Sequence, residues 1–316
     1  MLKTGKGTEQ EVVQVHTRKS SRLFTFFNSQ KVVPYVLISP FILSFIVLSF
    51  YPTVQAIVMS FQRVLPSEVT YVGLWNYSRI LNPTFFTALQ NTTTYMILTV
   101  VILVSIPMLF AVLLNSKVVK FRILFRTALF LPALTSVIVA GMVFRLMFSE
   151  SDTAVANQIL NWIGLESVEW RYNAWSGMFL MVVLASWRWM GINILYFLAA
   201  LQNVPKELYE AADIDGANVV QKFFYVTLPF LKPVTIFVTT ISVIGGFRMF
   251  EESFVFWEAG SPGNIGLTIV GYLYQEGIQQ NDMGFGAAIG VVLMLIIFVI
   301  SITQLYLTGA FKKGDQ

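Results

Sequence analysis

The 316-residue chain has no cysteine, one histidine, and so few charges that Asp, Glu, Lys and Arg together make up 12% of it. Without cysteine there are no disulfides, no thiolate metal sites and no cysteine nucleophile. The lone histidine, His16, lies in a polar tail without plausible metal partners. Gly5-Lys6-Gly7-Thr8 lacks the glycine spacing and the flanking strand and helix of a P-loop, so nothing here is built to hydrolyse ATP. There is no internal repeat and no low-complexity segment. A net charge of +4 and a pI near 9.2 do not point to nucleic acid, because the charges cluster at the ends of apolar segments.

What the chain has instead is apolar length. Hydrophobic residues make up 56% of it and mean hydropathy is +0.68, the composition of an all-α polytopic membrane protein. Roughly twenty apolar residues cross a bilayer as a helix. Six segments qualify: Pro34–Phe61, Leu89–Asn115, Thr127–Phe148, Gly177–Leu201, Val234–Trp257 and Gly284–Leu307. Pro107 and Pro132 are expected to bend their spans. The first apolar run is longer than a signal-peptide core, so no cleaved signal is expected.

Lys and Arg near span ends set orientation. The tail, the second and fourth connections and the C-terminus carry fifteen of them, including Lys117, Lys120, Arg122 and Arg126; the opposite side carries only Arg63, Arg79 and Arg171. Both termini are therefore expected in the cytoplasm. The expected organisation is a tail over 1–31, a membrane domain over 32–310 and a short tail over 311–316. In the outer connections, Leu74, Tyr77, Ile80 and Leu81 suit an interfacial helix. Trp162, Trp170 and Trp175 read as interface anchors rather than ligand contacts. Asn91-Thr92-Thr93 reads as a helix start, and Gly286 and Gly290 have the spacing of close helix packing.

The fourth connection, residues 203–233, is the polar exception. Pro205–Pro233 holds seven charges: Lys206, Glu207, Glu210, Asp213, Asp215, Lys222 and Lys232. Pro205 suits a first helical position and Glu207 the first turn, where the helix dipole favours a carboxylate. A helix from Pro205 to Ile214 would close at Gly216, and a second would run from Asn218 until Pro229 and Pro233 interrupt it. Leu208, Ala211 and Ala212 share one face, low enough for a partner to approach closely. This is an elbow shaped for docking.

Charges inside spans cost at least a few kcal/mol when unpaired. Arg188 lies in the fourth span, in Trp187-Arg188-Trp189 with Asn193 beyond; Arg248, Glu251 and Glu252 lie in the fifth, after Gly245-Gly246. Arg248 and Glu252 are four apart, on one face of a continuous helix, and Arg188 has Glu251 or Glu252 within reach across helices. Two readings stay open: an ion-pair network holding two helices in register, or the polar wall of a central pathway. For the second, aromatic rings would stack on sugar C–H faces while Arg, Glu and Asn bind hydroxyls. Gly245-Gly246 would either open room for a solute or permit helix packing.

Glu210-Ala211-Ala212, Asp215-Gly216-Ala217, Leu228-Pro229 and Pro233 resemble the EAA loop of permease subunits in bacterial ABC importers. Leu198–Pro205 and Gly260-Ser261-Pro262-Gly263 resemble the maltose-permease branch, which imports carbohydrates. Ala185–Asn193, Ile244–Ser253 and Ser261–Thr268 are most similar to the membrane subunits of arabino-oligosaccharide importers. Glu258-Ala259-Gly260-Ser261-Pro262 departs from that branch's usual outer loop. The resemblance implies a type I importer permease of six transmembrane helices with a cytoplasmic coupling helix. Leu208, Glu210, Ala211, Ala212, Asp215 and Gly216 would contact the ATPase. Trp187, Arg188, Trp189, Asn193, Gly245, Arg248, Glu251 and Glu252 would line the substrate path, assigned by region. It also implies a bacterial cell-membrane location, no catalytic residue, metal or cofactor in this chain, and ATP and Mg held by the partner ATPase. The expected partners are a second homologous permease in a heterodimer, two copies of the ATPase, an extracytoplasmic sugar-binding protein and the lipid bilayer. The rivals are an ion-coupled secondary transporter using Arg188 and the Glu251/Glu252 pair, and the same importer class carrying maltose-type glucans or glycerol phosphate.

Overall fold

The computed structural model describes residues 30–65, 68–116, 119–257 and 260–309. The tail cations Lys3 to Arg22 with His16, and also Lys117, Glu258, Ala259, Lys312 and Lys313, lie outside the described residues. Contacts divide the chain into residues 1–55 and 56–316. In the first unit, α1 (Val33–Phe45) has Pro34 in its first turn and Pro40 inside, and continues through a π-turn (Ile46–Phe50) into α2 (Tyr51–Met59), of which residues 51–55 belong to this unit.

In the second unit an antiparallel hairpin, β1 (Gln62–Leu65) and β2 (Glu68–Tyr71), pairs Gln62 with Tyr71 and precedes α3 (Trp75–Ile80). The long helix α4 (Pro83–Asn115) is central. Its buried Phe85, Ala88, Thr92, Tyr95, Met96, Thr99, Leu103, Met108, Ala111 and Leu114 recur at three- and four-residue spacing along one stripe. That stripe feeds three apolar clusters shared with α8 (Ala174–Leu201), α11 (Leu228–Phe247) and α14 (Met283–Leu307). Pro107 is accommodated inside α4, which begins at Pro83 with Asn82 as its cap. Asn91 and Thr92 are therefore not a helix start. From mid-helix, Asn91 Nδ2 donates to the carbonyls of Asn264 and Leu267, and Thr92 Oγ1 accepts from the Ile269 N–H.

Five helical stretches among the described residues are long and apolar enough to cross a bilayer: 33–59, 83–115, 174–201, 219–257 and 283–307. The span expected over Thr127–Phe148 is instead a pair of helices bent by 95°. α5 (Arg122–Phe130) passes into a 3-10 turn, Leu131–Leu134, which contains Pro132. Thr135 and Ser136 are extended, and α6 (Val137–Met147) comes next. The turn falls at Thr135 and Ser136, three residues past Pro132, and is a break rather than the gentle bend expected at the proline. Eleven residues of α6 rise only about 16 Å, half the hydrocarbon layer, so α6 alone is too short to cross it. Gly191 of α8 meets this bend: a Cβ built there would lie 2.0 Å from the Leu129 carbonyl oxygen.

The connection from α6 to α8 is organised by a buried amide. Asn157, on α7 (Val155–Trp162), donates to the carbonyls of Ser149, Ser151 and Val168 and accepts from Val168 N–H and the Trp170 indole. Trp170 packs on Phe148 with ring centroids 5.3 Å apart, so of the three expected interface tryptophans this one is structural. Arg171 forks both Glu150 carboxylate oxygens, at 2.6 and 2.5 Å. The hydrogen bonds from Arg171 hold the Glu150 carboxyl below its ordinary value of 4.5. At the far end, Gly286 of α14 packs backbone to backbone on Gly277, while Gly290 meets only the tip of Leu273. In α3, Ile80 is buried, whereas Leu74 and Leu81 flank it exposed.

Gly191→Ala pushes a methyl group into a backbone carbonyl, and overpacking of that kind costs roughly 1–3 kcal/mol. Its thermal midpoint in detergent should fall well below wild type, while Gly290→Ala stays close to it. For Glu150 the folded pKa is depressed, so its contribution to stability is complete above the ordinary value and is lost as pH falls through the depressed one. Wild type should therefore lose more thermal stability than Glu150→Gln between about pH 5 and about pH 3, a difference read directly from paired melting curves.

Candidate functional site

Arg188 sits midway along α8, and a guanidinium there must find a counter-charge. It is 8% exposed and its Nη1 donates to Glu252 Oε1 at 3.0 Å; Glu252 is itself 7% exposed. The meeting depends on a break in the next span. α11 ends at Phe247, Arg248 takes a capping conformation (φ −89°, ψ 3°), and α12 (Glu251–Trp257) starts three residues later. Glu251 and Glu252 thus occupy a first helical turn, which favours carboxylates. The expected Arg248–Glu252 pair on one continuous helix does not form, because the break removes the four-residue periodicity that pairing needs.

Around the pair lies a cavity of about 620 Å³, within the roughly 300–1,000 Å³ of ligand pockets. α4 contributes Tyr95, Thr99 and Leu103; α8 contributes Arg188, Trp189, Asn193 and Tyr196; α11 and the break contribute Gly245, Arg248 and Phe250; α12 contributes Glu251 and Glu252. Asn193 Nδ2 is committed to the Leu103 carbonyl at 2.9 Å, which leaves its oxygen as an acceptor. The Arg188 Nε is buried without a partner. Arg248 and Glu251 are exposed on the wall, outside any ion pair among the described residues.

Of the eight residues proposed from sequence for the substrate path, Arg188, Trp189, Asn193, Gly245, Arg248, Glu251 and Glu252 line this cavity. Trp187 does not. One position along the helix from Arg188, it packs on Phe144 of α6 with centroids 5.8 Å apart. Tyr95, Thr99, Tyr196 and Phe250 escape sequence reasoning, since nothing in the pattern of α4 or α8 alone marks which inward residue meets a void. The two glycines divide the roles left open for them. A Cβ on Gly246 would meet Met96 at 2.9 Å, whereas nothing lies within 4 Å of one on Gly245. Two arginines balance two glutamates among the lining residues, with Trp189, Tyr196 and Phe250 beside them. Such a wall suits an uncharged solute with many hydroxyls, stacked on ring faces and hydrogen-bonded at its edges.

The elbow is built from local chemistry. α9 (Lys206–Ile214) starts after Pro205, which is its N-cap rather than its first helical residue. Gly216 at φ +74° closes it: Gly216 N–H donates to the Asp213 carbonyl and Ala217 N–H to that of Ala212. Those two bonds satisfy the helix's last carbonyls, and the conformation favours glycine. Asn218 and Gln221 then form a reciprocal capping box at the start of α10 (Val219–Lys222). Pro229 and Pro233 do not interrupt the helical path beyond α10. A π-turn (Phe223–Thr227) shifts the hydrogen-bond ladder, Pro229 falls in the first turn of α11, and Pro233 is carried inside it. Tyr209 and Thr227 share a hydroxyl contact of 2.9 Å, and Asp213 pairs with Lys222. Leu208, Glu210, Ala211, Asp215 and Gly216 are exposed and Ala212 is half-buried. Ile214 (87%) and Val219 (80%) add an uncovered apolar edge that the sequence pattern does not mark.

The family described as binding-protein-dependent transport system inner membrane component matches residues 168–313. The chain is 60% identical, over 93% of its length and 94% of the relative, to the arabinooligosaccharides transport system permease protein AraP of Bacillus subtilis. It is 33% identical to the lactose transport system permease protein LacF of Rhizobium radiobacter, over 86% and 92% of the two chains. Among solved structures, a bacterial ABC transporter that imports the acidic polysaccharide alginate shares the fold, with a TM-score of 0.80 at 23% identity, covering 93% of this chain and all of that one. A second structure of such a transporter, bound to a periplasmic protein carrying an alginate pentasaccharide, matches at 0.79.

Gly245 and Gly246 make a paired test of the site. Gly245→Trp should fold with a melting temperature near wild type yet abolish solute uptake by filling the cavity. Gly246→Ala should lower the melting temperature through its clash with Met96. Uptake and melting curves on the two variants separate passage from packing.

Proposed function

Since the chain belongs to the inner membrane components of binding-protein-dependent transport systems, the permease subunits of carbohydrate ABC importers, we propose that it forms half of a translocation pathway for arabino-oligosaccharides. The other half is a second, related permease. Two cytoplasmic ATPase subunits, which hold ATP and Mg, dock on the two elbows, and an extracytoplasmic binding protein delivers the sugar. No bond chemistry occurs in this chain.

One observation carries the reading. Two of the helices that wall the cavity, α8 and α11, enter and leave the elbow, and a buried ion pair ties α8 to the continuation of α11. A push on α9 is thereby delivered to both walls. Leu208, Glu210, Ala211, Ala212, Asp215 and Gly216 form the docking surface, with Ile214 and Val219 at its apolar edge. Arg188, Trp189, Asn193, Gly245, Arg248, Glu251 and Glu252 contact the passing sugar. The fifteen-to-three distribution of Lys and Arg supports cytoplasmic termini and a cytoplasmic elbow. For the cargo, support comes from 60% identity to AraP and from the charge balance of the cavity wall.

Reconstituted with both partner subunits and sugar-loaded binding protein, the transporter should hydrolyse ATP faster with arabino-oligosaccharides than with lactose or maltodextrins. Gly216→Pro, or a bulky residue at Ala211, should abolish uptake while ATP hydrolysis persists. Stimulation by a different sugar would move the cargo and keep the mechanism. Normal uptake in both elbow variants would remove the coupling role from α9.

A further inference from the structure

Helix α7 carries its polarity reversed. Val155, Ile159 and Trp162 recur at four- and three-residue spacing on one stripe, and they are 49%, 57% and 87% exposed. Ile163 and Leu165, 57% and 54% exposed, extend the patch past the helix end. On the opposite side Asn157 is fully buried, with all its amide capacity spent inside the connection. A helix facing water would bury the stripe and present the amide.

Residues 154–165 include no charged side chain, while the exposed Asp152 and Glu166 bracket them on either side. The connection also holds α7 close to its neighbours in the chain: Asn157 bonds it to Ser149 and Ser151, just past the end of α6, and to Val168, six residues before α8. The head of α8 repeats the pattern, with Trp175 and Phe179 one turn apart, 78% and 55% exposed.

We propose that α7 lies flat in the boundary between lipid headgroups and acyl chains, its Val155–Ile159–Trp162 stripe turned into the lipid, as a membrane-surface anchor for the connection between α6 and α8. A phospholipid surface fits each observation: an apolar stripe for the acyl chains, tryptophans at headgroup level, and carboxylates only beyond the stripe, where water begins. The inference needs the membrane and neither the cargo nor the coupling scheme.

The lack of cysteine makes the test direct. Ile159→Cys, Trp162→Cys and Val155→Cys, each spin-labelled in the assembled transporter with cysteine-free partners in lipid nanodiscs, report collisions with oxygen and with a water-soluble nickel chelate. The oxygen-to-nickel ratio should be several-fold higher at these sites than at Asp152→Cys in the same connection. Nickel access equal to that at position 152 would place the stripe in water and overturn the proposal. Low access to both reagents would mean that another protein subunit covers it, which overturns the proposal equally. Three independent labels keep the result readable if truncating Trp162 weakens the fold.

Discussion

A guanidinium held among apolar helices has to be neutralised, and the geometry around Arg188 stems from that requirement. Glu252 reaches it because α11 stops at Phe247 and the chain restarts as α12 after a three-residue break. The same break frees Arg248 and Glu251 from pairing and turns them toward the cavity. Removing one partner of a buried pair costs about 3–5 kcal/mol, because the other is stranded. The pair thus fixes which polar groups line the cavity.

The same two spans leave the elbow, and the elbow is stiff. Its two short helices are joined by a glycine-closed turn and a capping box, and braced by Tyr209–Thr227 and Asp213–Lys222. Thr227 is buried, and Phe223 and Leu228 pack on the apolar cluster around Leu231, so local bonds shape the tip of the elbow and core packing seats its base. That suits the coupling role proposed for it, in which displacement passes between a polar surface and buried helices.

The elbow is legible in the sequence nearly residue by residue because caps and turns are local chemistry: Pro205, Gly216 and Asn218 each act within a few positions of themselves. Span existence is legible for the same reason, as a matter of apolar length. The sharp turn at Thr135 and Ser136 reads from sequence as a mild bend at Pro132, since a proline announces a disturbance but neither its angle nor its place. Pro229 reads as a stop, yet a π-turn just before it absorbs the disturbance. Pairing Arg248 with Glu252 assumes a continuous helix, and placing Trp187 at the cavity assumes that proximity to Arg188 in sequence suffices. Which way a residue points one position along a helix depends on neighbours far away in the chain. The amide of Asn91 is invisible for that reason too, since its partners Asn264 and Leu267 lie far along the chain.

Gly245 and Gly246 are adjacent, yet one faces open space and the other touches Met96. With Arg248 and Glu251, Gly245 belongs to a set of exposed positions on the cavity wall. On the pathway proposed above, mutational drift at those positions is screened by what passes through more than by folding. A gene duplicate of such a transporter changes its diet by substitutions on this wall while inheriting the scaffold and the elbow intact.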